Sequence, residues 1–269
     1  MFDEKIFLLI AVILYGLSSA FYISCFVLKK SVLSVTGSWI TRIGFIVHSI
    51  ALILRFVEAG RLPLTSQYEF AASFSWGIVF SYLVLEWKYK LKVLGLFAMP
   101  IILLVTFYTI MQSSEIKPLM PSLQSNWLIF HVGTAVFSYG AFAIACAVSV
   151  MYIIKENLKR DSFTQQNLPH LDKLDQVSYR AIAFGFFMLT LVIATGAIWA
   201  ERAWGRYWRW DPKETWSFIT WVIYAIYLHV RMNRSWKNKK AAWYAIIGFG
   251  AIIFTYIGVN TFMVGYHSY

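Results

Sequence analysis

The chain has 269 residues, 59% of them hydrophobic and 14% charged, with a mean hydropathy of +0.61. Soluble domains are about a quarter charged, so these values exclude an ordinary soluble protein and predict an all-α integral membrane protein of many spans. A net charge of +11 would suggest nucleic acid in a soluble chain, but its distribution makes it a topology signal. The two cysteines, Cys25 and Cys146, lie apart in apolar runs and form no CxxC motif for thiol redox or zinc.

Eight apolar runs follow one another, at about 6–28, 40–58, 69–86, 93–111, 127–154, 179–200, 215–234 and 243–265. Each is continuous rather than alternating and close to the ~20 residues a helix needs to cross a bilayer. The first is too long for a signal-peptide core and no small-residue cleavage site follows it. The second is the least apolar and carries Arg42, His48 and Arg55, which are expected to face the bundle interior. No polar stretch is long enough for a separate soluble unit, so residues 1–269 read as a single polytopic domain of about eight transmembrane helices.

The connections at 29–42, 86–92, 155–180 and 231–240 hold 16 of the 24 basic residues, including Lys29, Lys30, Arg42, Lys88, Lys155, Arg180 and Lys239. By the positive-inside rule these connections are cytoplasmic. Both termini and the loop 201–214 are then outside, the lipid bilayer is the environment, and nucleic acid is rejected as a partner. The histidines sort by depth. His131 lies four residues beyond Trp127, about 6 Å below the outer surface at 1.5 Å per residue. His267 lies just past the outer end of the last run. His48 and His229 are deeper, with small residues one turn away: Gly44 and Ala51 beside the first, Ala225 beside the second. Small neighbours make room for a bulky planar group or let helices pack closely. A lone intramembrane histidine serves packing or proton handling as readily as ligation. His170, in a polar cytoplasmic connection, reads as solvated.

The outer loop between spans six and seven contains WGRYWRWDPKETW, Trp204–Trp216. It sets Trp204, Tyr207, Trp208, Trp210 and Trp216 among Arg206, Arg209, Asp211, Lys213 and Glu214. Aromatic residues gather at membrane interfaces as belts, but five in thirteen residues, interleaved with charge, are too dense for anchoring alone. A large, flat, apolar ligand with carboxylates at one edge suits such a surface, and haem fits that description. Arg206, Arg209 and Lys213 are candidates for its propionates; juxtamembrane arginines also meet lipid phosphate. Asp211 before Pro212 shapes a turn or touches the ligand.

This segment resembles the WWD signature of haem-handling membrane proteins, in the Asp-Pro-Lys-Glu-Thr-Trp form of the CcsA family, also called ResC. PLTSQYEF (63–70), LQSNWLIFHVGTAVFSYGAF (123–142) and GVNTFMVGYHSY (258–269) resemble the same family. The resemblance implies an eight-span protein of the System II cytochrome c pathway that works with a second membrane protein, CcsB (ResB). His131 and His267 would be outer axial ligands of haem iron beside the Trp-rich loop. His48 and His229 would be intramembrane ligands on the entry path. The cofactor implied is non-covalent haem b at up to two sites, and the chain reads as the separate subunit rather than a fused synthase.

The pair would form a holocytochrome c synthase, or cytochrome c haem lyase, joining haem to the CxxCH of apocytochrome c with help from a thiol-reducing partner. The membrane would be a bacterial inner (plasma) membrane or a thylakoid, with the active face outside the cytoplasm. Positioning would be the protein's contribution to thioether formation. Two other readings use the same residues: a haem chaperone of the CcmC type without ligation activity, against which eight spans speak, and a b-type quinol-oxidising electron carrier, which leaves the Trp-rich loop without purpose.

Overall fold

The computed structural model describes residues 3–158, 168–232 and 239–263. Among them are eight helices and no strand. They are α1 (Glu4–Leu28), α2 (Ser31–Ala59), α3 (Gln67–Tyr89), α4 (Leu94–Ile110), α5 (Asn126–Asn157), α6 (Leu171–Trp204), α7 (Pro212–Val230) and α8 (Lys239–Phe262), with one 3-10 turn at Pro121–Leu123. Six of them, α1, α2, α3, α5, α6 and α8, are long and apolar enough to cross a membrane. The other two are shorter, 17 residues in α4 and 19 in α7. The expected all-helical membrane bundle is the observed one, and the chain is an integral membrane protein.

Helix boundaries follow capping chemistry more closely than hydropathy. Ser66 caps α3 and Asp211 caps α7, each closed by a carboxylate three residues on, Glu69 and Glu214. This reciprocal arrangement satisfies backbone N–H groups that the first turn leaves open. Gly60 and Gly205 end α2 and α6 in the left-handed conformation that glycine adopts without a Cβ penalty.

Two expected connections are shorter than the hydropathy profile suggests. Helix α2 starts at Ser31 rather than near residue 40, so Arg42 is helical and not part of a 29–42 connection. The polar residues that depress hydropathy there all have partners. Ser38 Oγ donates to Glu86 Oε1 (2.5 Å), Arg42 to the same oxygen (2.9 Å), and Thr41 pairs with Ser18 (2.7 Å). Helix α6 likewise starts at Leu171, which makes Lys173 and Arg180 helical; Arg231 closes a bidentate pair with Asp175 at 2.6 and 2.7 Å.

Helix α5 is the central element. Every residue from 138 to 149 is buried, as befits a helix that is apolar all round, and α5 packs against α3, α4, α6 and α8. Its crossing with α3 depends on two glycines: a Cβ on Gly140 would stand 2.5 Å from the Gly77 carbonyl oxygen. At one end of the bundle a buried charge cluster ties four segments together. Arg55 donates to Glu69, to Glu4 and to the Ser114 carbonyl (2.7 Å), while Arg61, Thr65 and Ser66 all donate to Glu69. With two cations against two carboxylates, the cluster fixes the 60–67 segment over the mouth of α3.

Candidate functional site

The ends of α3, α5, α6, α7 and α8 converge on a cavity that is partly open to solvent. His131, Tyr139, Gly196, Trp199, Tyr207, Trp208 and Asn260 line it, with Thr65 to Gln67 at its rim and Lys213 and Glu214 at the start of α7. The wall is chiefly aromatic and aliphatic with a few polar groups, the usual make-up of a small-molecule site.

His131 stands on the first turns of α5, whose N-terminus is capped by Ser125. Its Nδ1 lies 2.8 Å from the Val192 carbonyl oxygen of α6. A carbonyl only accepts, so Nδ1 carries the proton, and in the neutral form of the ring the lone pair is on Nε2. That is the tautomer in which a histidine ligates metal through Nε2 while its second nitrogen is held from behind. Two α6 residues fix the plane of the ring. Trp199, almost fully buried, stacks on it at 17° and 6.0 Å. Gly196 lies flat against it: a Cβ there would be 2.7 Å from both Cε1 and Nδ1.

The connection between α6 and α7 is shorter than the expected 201–214 loop. Trp204 is the last residue of α6, Gly205 to Asp211 make the turn, and Trp216 is already on α7. The reason is the Asp211–Glu214 capping box, which starts α7 early. The Glu214 carboxylate accepts from the backbone N–H of Arg209 (2.8 Å) and of Asp211 (3.2 Å), and the Arg209 guanidinium bonds the Trp204 carbonyl. Asp211 and Arg209 therefore close the loop on itself, and Arg206 is exposed. Of the five aromatic residues singled out in this segment, Tyr207 and Trp208 line the cavity. Trp204 meets Trp199 edge-on at 6.2 Å and Trp216 packs on Phe254 at 4.3 Å, while Trp210 meets Trp208 and Phe218 edge-on at 5.6 and 6.3 Å and, like Tyr207, remains largely exposed. Trp210 also has a φ of 58°, in the left-handed region.

The other histidines are placed differently. His267 lies outside the described residues. His48 is fully buried on α2; its Nδ1 is 3.3 Å from the Tyr15 hydroxyl, and its Nε2, on the side of the Ala72 backbone, makes no hydrogen bond of good geometry among the described residues. The room that Gly44 leaves beside it is filled by the Tyr15 ring, since a Cβ on Gly44 would be 2.8 Å from Cε1 of that ring. Small neighbours here serve helix packing. His229 is exposed on α7. Helix α2 packs on α1 and α3, and α7 on α6 and α8, so the two deep histidines stand on helices that are not packing neighbours.

Several cavity residues escape a reading of the loop alone: Gly196 and Trp199 on α6, Tyr139 on α5, and Asn260 on α8. The signal for the first two was present in the small-residue run Ala194, Thr195, Gly196, Ala197, which lets His131 approach the helix, with Trp199 one turn further along. The remaining two are legible only once the helices are packed.

A family model described as Cytochrome C assembly protein matches residues 64–267, which span all of the cavity lining. The cytochrome c biogenesis protein CcsA of Guillardia theta is 38% identical over 251 residues, covering 85% of this chain and 83% of the relative. The CcsA of Mesostigma viride is 32% identical, covering 97% and 93%. Among solved structures, a cytochrome c haem lyase CcmF superposes with a TM-score of 0.72 at 14% identity. It shares the fold, and the match covers 94% of this chain but 46% of that one. From the WWD-like loop to the residues of its central helices, the chain belongs to the CcsA family of cytochrome c biogenesis proteins.

Proposed function

We propose that the chain takes up haem in the cavity beneath the Trp-rich loop and presents it there for thioether attachment to the CxxCH motif of apocytochrome c. The observation that supports this most directly is the fixed tautomer of His131: an imidazole locked from behind by the Val192 carbonyl offers Nε2 at a cavity lined by flat rings. His267, outside the described residues, is proposed as a second residue that would hold the iron. When bound, haem supplies two vinyl groups. Addition of a cysteine thiol to each breaks an S–H bond and the vinyl C=C π bond and forms one C–S and one C–H bond, with no net oxidation. The chain's own residues orient the partners. His131 fixes the iron, Trp199 and Gly196 fix His131, and Tyr207 and Trp208 cover the ring while limiting water. CcsB and a thiol-reducing protein are the proposed partners.

A second haem at His48 and His229 has one supporting feature, the buried Nε2 of His48. Occupancy there requires α1 to withdraw Tyr15 from the groove beside Gly44, and His229 to meet its ligand from the exposed face of α7. The test of haem binding is a pyridine haemochrome spectrum of the purified chain, with and without CcsB. A b-type spectrum is expected from wild type, and absence of haem in both preparations refutes the proposal.

The active face is proposed to lie outside the cytoplasm, because the sequence segments 29–42, 86–92, 155–180 and 231–240, read as the cytoplasmic side, hold 16 of the 24 basic residues. A reporter that is active only in the cytoplasm, fused after Tyr269, is expected to be silent. Activity of that fusion would invert the orientation and put haem presentation on the wrong side.

A further inference from the structure

The last helix changes its winding where it passes the cavity. Residues Phe254–Gly258 form a π turn, after which α8 resumes at Val259. Such turns insert a residue into the helical ladder, re-aim the side chains around it and recur at functional sites. Here Thr255, Tyr256 and Asn260 face the cavity. Tyr256 is tied down by its hydroxyl, which donates to the Gln67 carbonyl (3.2 Å), and Thr255 pairs with Thr220. The Asn260 Oδ1 is shielded from solvent and has no hydrogen-bond partner among the described residues. On the loop side of the same cavity, the indole Nε1–H of Trp208 is buried and likewise has no partner among them. A buried polar group without a partner is costly to leave unmatched, and here two of them line a single cavity.

We propose that the Trp208 indole N–H and the Asn260 side-chain amide, which line the same cavity, together bind the carboxylate edge of the planar ligand. This rests on the reading of the cavity as the haem site. Indole nitrogen only donates, so its counterpart must be an acceptor. An amide presents either its oxygen or its NH₂ after a half-turn, and the two orientations are distinguished by the hydrogen-bond network rather than by shape. A carboxylate between them accepts from both. The arrangement also gives the ligand a direction. With iron at His131 and one edge anchored between the loop and α8, the opposite, vinyl-bearing edge is the one left for an incoming peptide. Asn260 is thus an orienting residue, separate from the ligands of the iron.

The test compares binding of haem and of haem dimethyl ester to the full-length chain in detergent. The variants are Trp208→Phe, which keeps the ring and loses the N–H, Asn260→Ala and Asn260→Asp. Loss of one hydrogen bond to a charged acceptor is expected to weaken haem binding about tenfold in each of the first two. The ester should bind wild type more weakly than haem does, and the same substitutions should change its binding little. Asn260→Asp, which sets a second carboxylate against the first, should bind haem more weakly than Asn260→Ala. Equal losses for haem and ester, or an Asn260→Asp protein that holds haem like wild type, would overturn this inference and leave the haem site standing. A wild-type protein that binds neither compound would overturn both.

Discussion

His131→Gly is expected to abolish cytochrome c maturation and to strip haem from the cavity, with partial recovery of both when imidazole is added. The ring is the group that the cavity offers to iron, and its removal leaves a space open to solvent through the cavity mouth, so a free imidazole has a route in. Gly196→Val provides the complementary test. It leaves His131 chemically intact but puts a side chain where a Cβ would already sit 2.7 Å from the ring, so the ring must swing off the Val192 carbonyl and off Trp199. Loss comparable to that of His131→Gly is expected, without recovery on adding imidazole, because the displaced ring still occupies the site. Imidazole should also do little for His48→Gly, since that position is sealed between α1, α2 and α3. Equal rescue at positions 131 and 48, or wild-type maturation by Gly196→Val, would count against the geometry described.

The sequence disclosed most of this architecture because a membrane imposes it. Continuous apolar runs of spanning length must be helical, and their number, order and approximate positions follow directly. What hydropathy misplaced were the ends of α2 and α6, where polar residues are helical because each has a partner on a neighbouring helix. Ser38 and Arg42 on Glu86, and Arg231 on Asp175, are invisible to a profile read along one strand of sequence. At the candidate site the loop announced itself by composition, and His131 by its position beside Trp127. The division of labour within the loop did not. Arg209 read as a contact to a ligand or to lipid phosphate, and Asp211 as a turn former or a ligand contact; in the folded protein they bond the Trp204 carbonyl and the first turn of α7. Trp199, Gly196 and Asn260 come from helices distant in sequence, so only packing brings them to the cavity. Around His48 the small residues were compatible with room for a ligand or with close helix packing, and only the fold shows that the Tyr15 ring packs against Gly44.

The Trp-rich loop yields the second large effect, and it separates haem binding from anchoring. Tyr207 and Trp208 line the cavity, whereas Trp210 is not part of its lining, meets Trp208 only edge-on at 5.6 Å, and is held in the left-handed region. The double variant Tyr207→Ala with Trp208→Ala should therefore leave the protein in the membrane but empty the cavity of haem and stop thioether formation. Each stacked aromatic is worth about 1–3 kcal/mol by analogy with bases stacked on aromatic side chains. Two together amount to roughly a 25-fold to 20,000-fold loss in affinity at 1.4 kcal/mol per decade. Trp210→Gly should behave differently. It removes the most exposed ring of the segment and also relieves a left-handed residue whose conformation costs about 1–2 kcal/mol. Haem content close to wild type and unchanged or improved thermal stability are expected. If the segment served only to anchor the protein at the membrane surface, the order would reverse, because the exposed Trp210 is the ring best placed to reach lipid headgroups. Membrane level and haem content of the two variants, measured side by side, decide the matter. A double variant that keeps wild-type haem and still matures cytochrome c, beside a Trp210→Gly protein lost from the membrane, would make this loop an anchor.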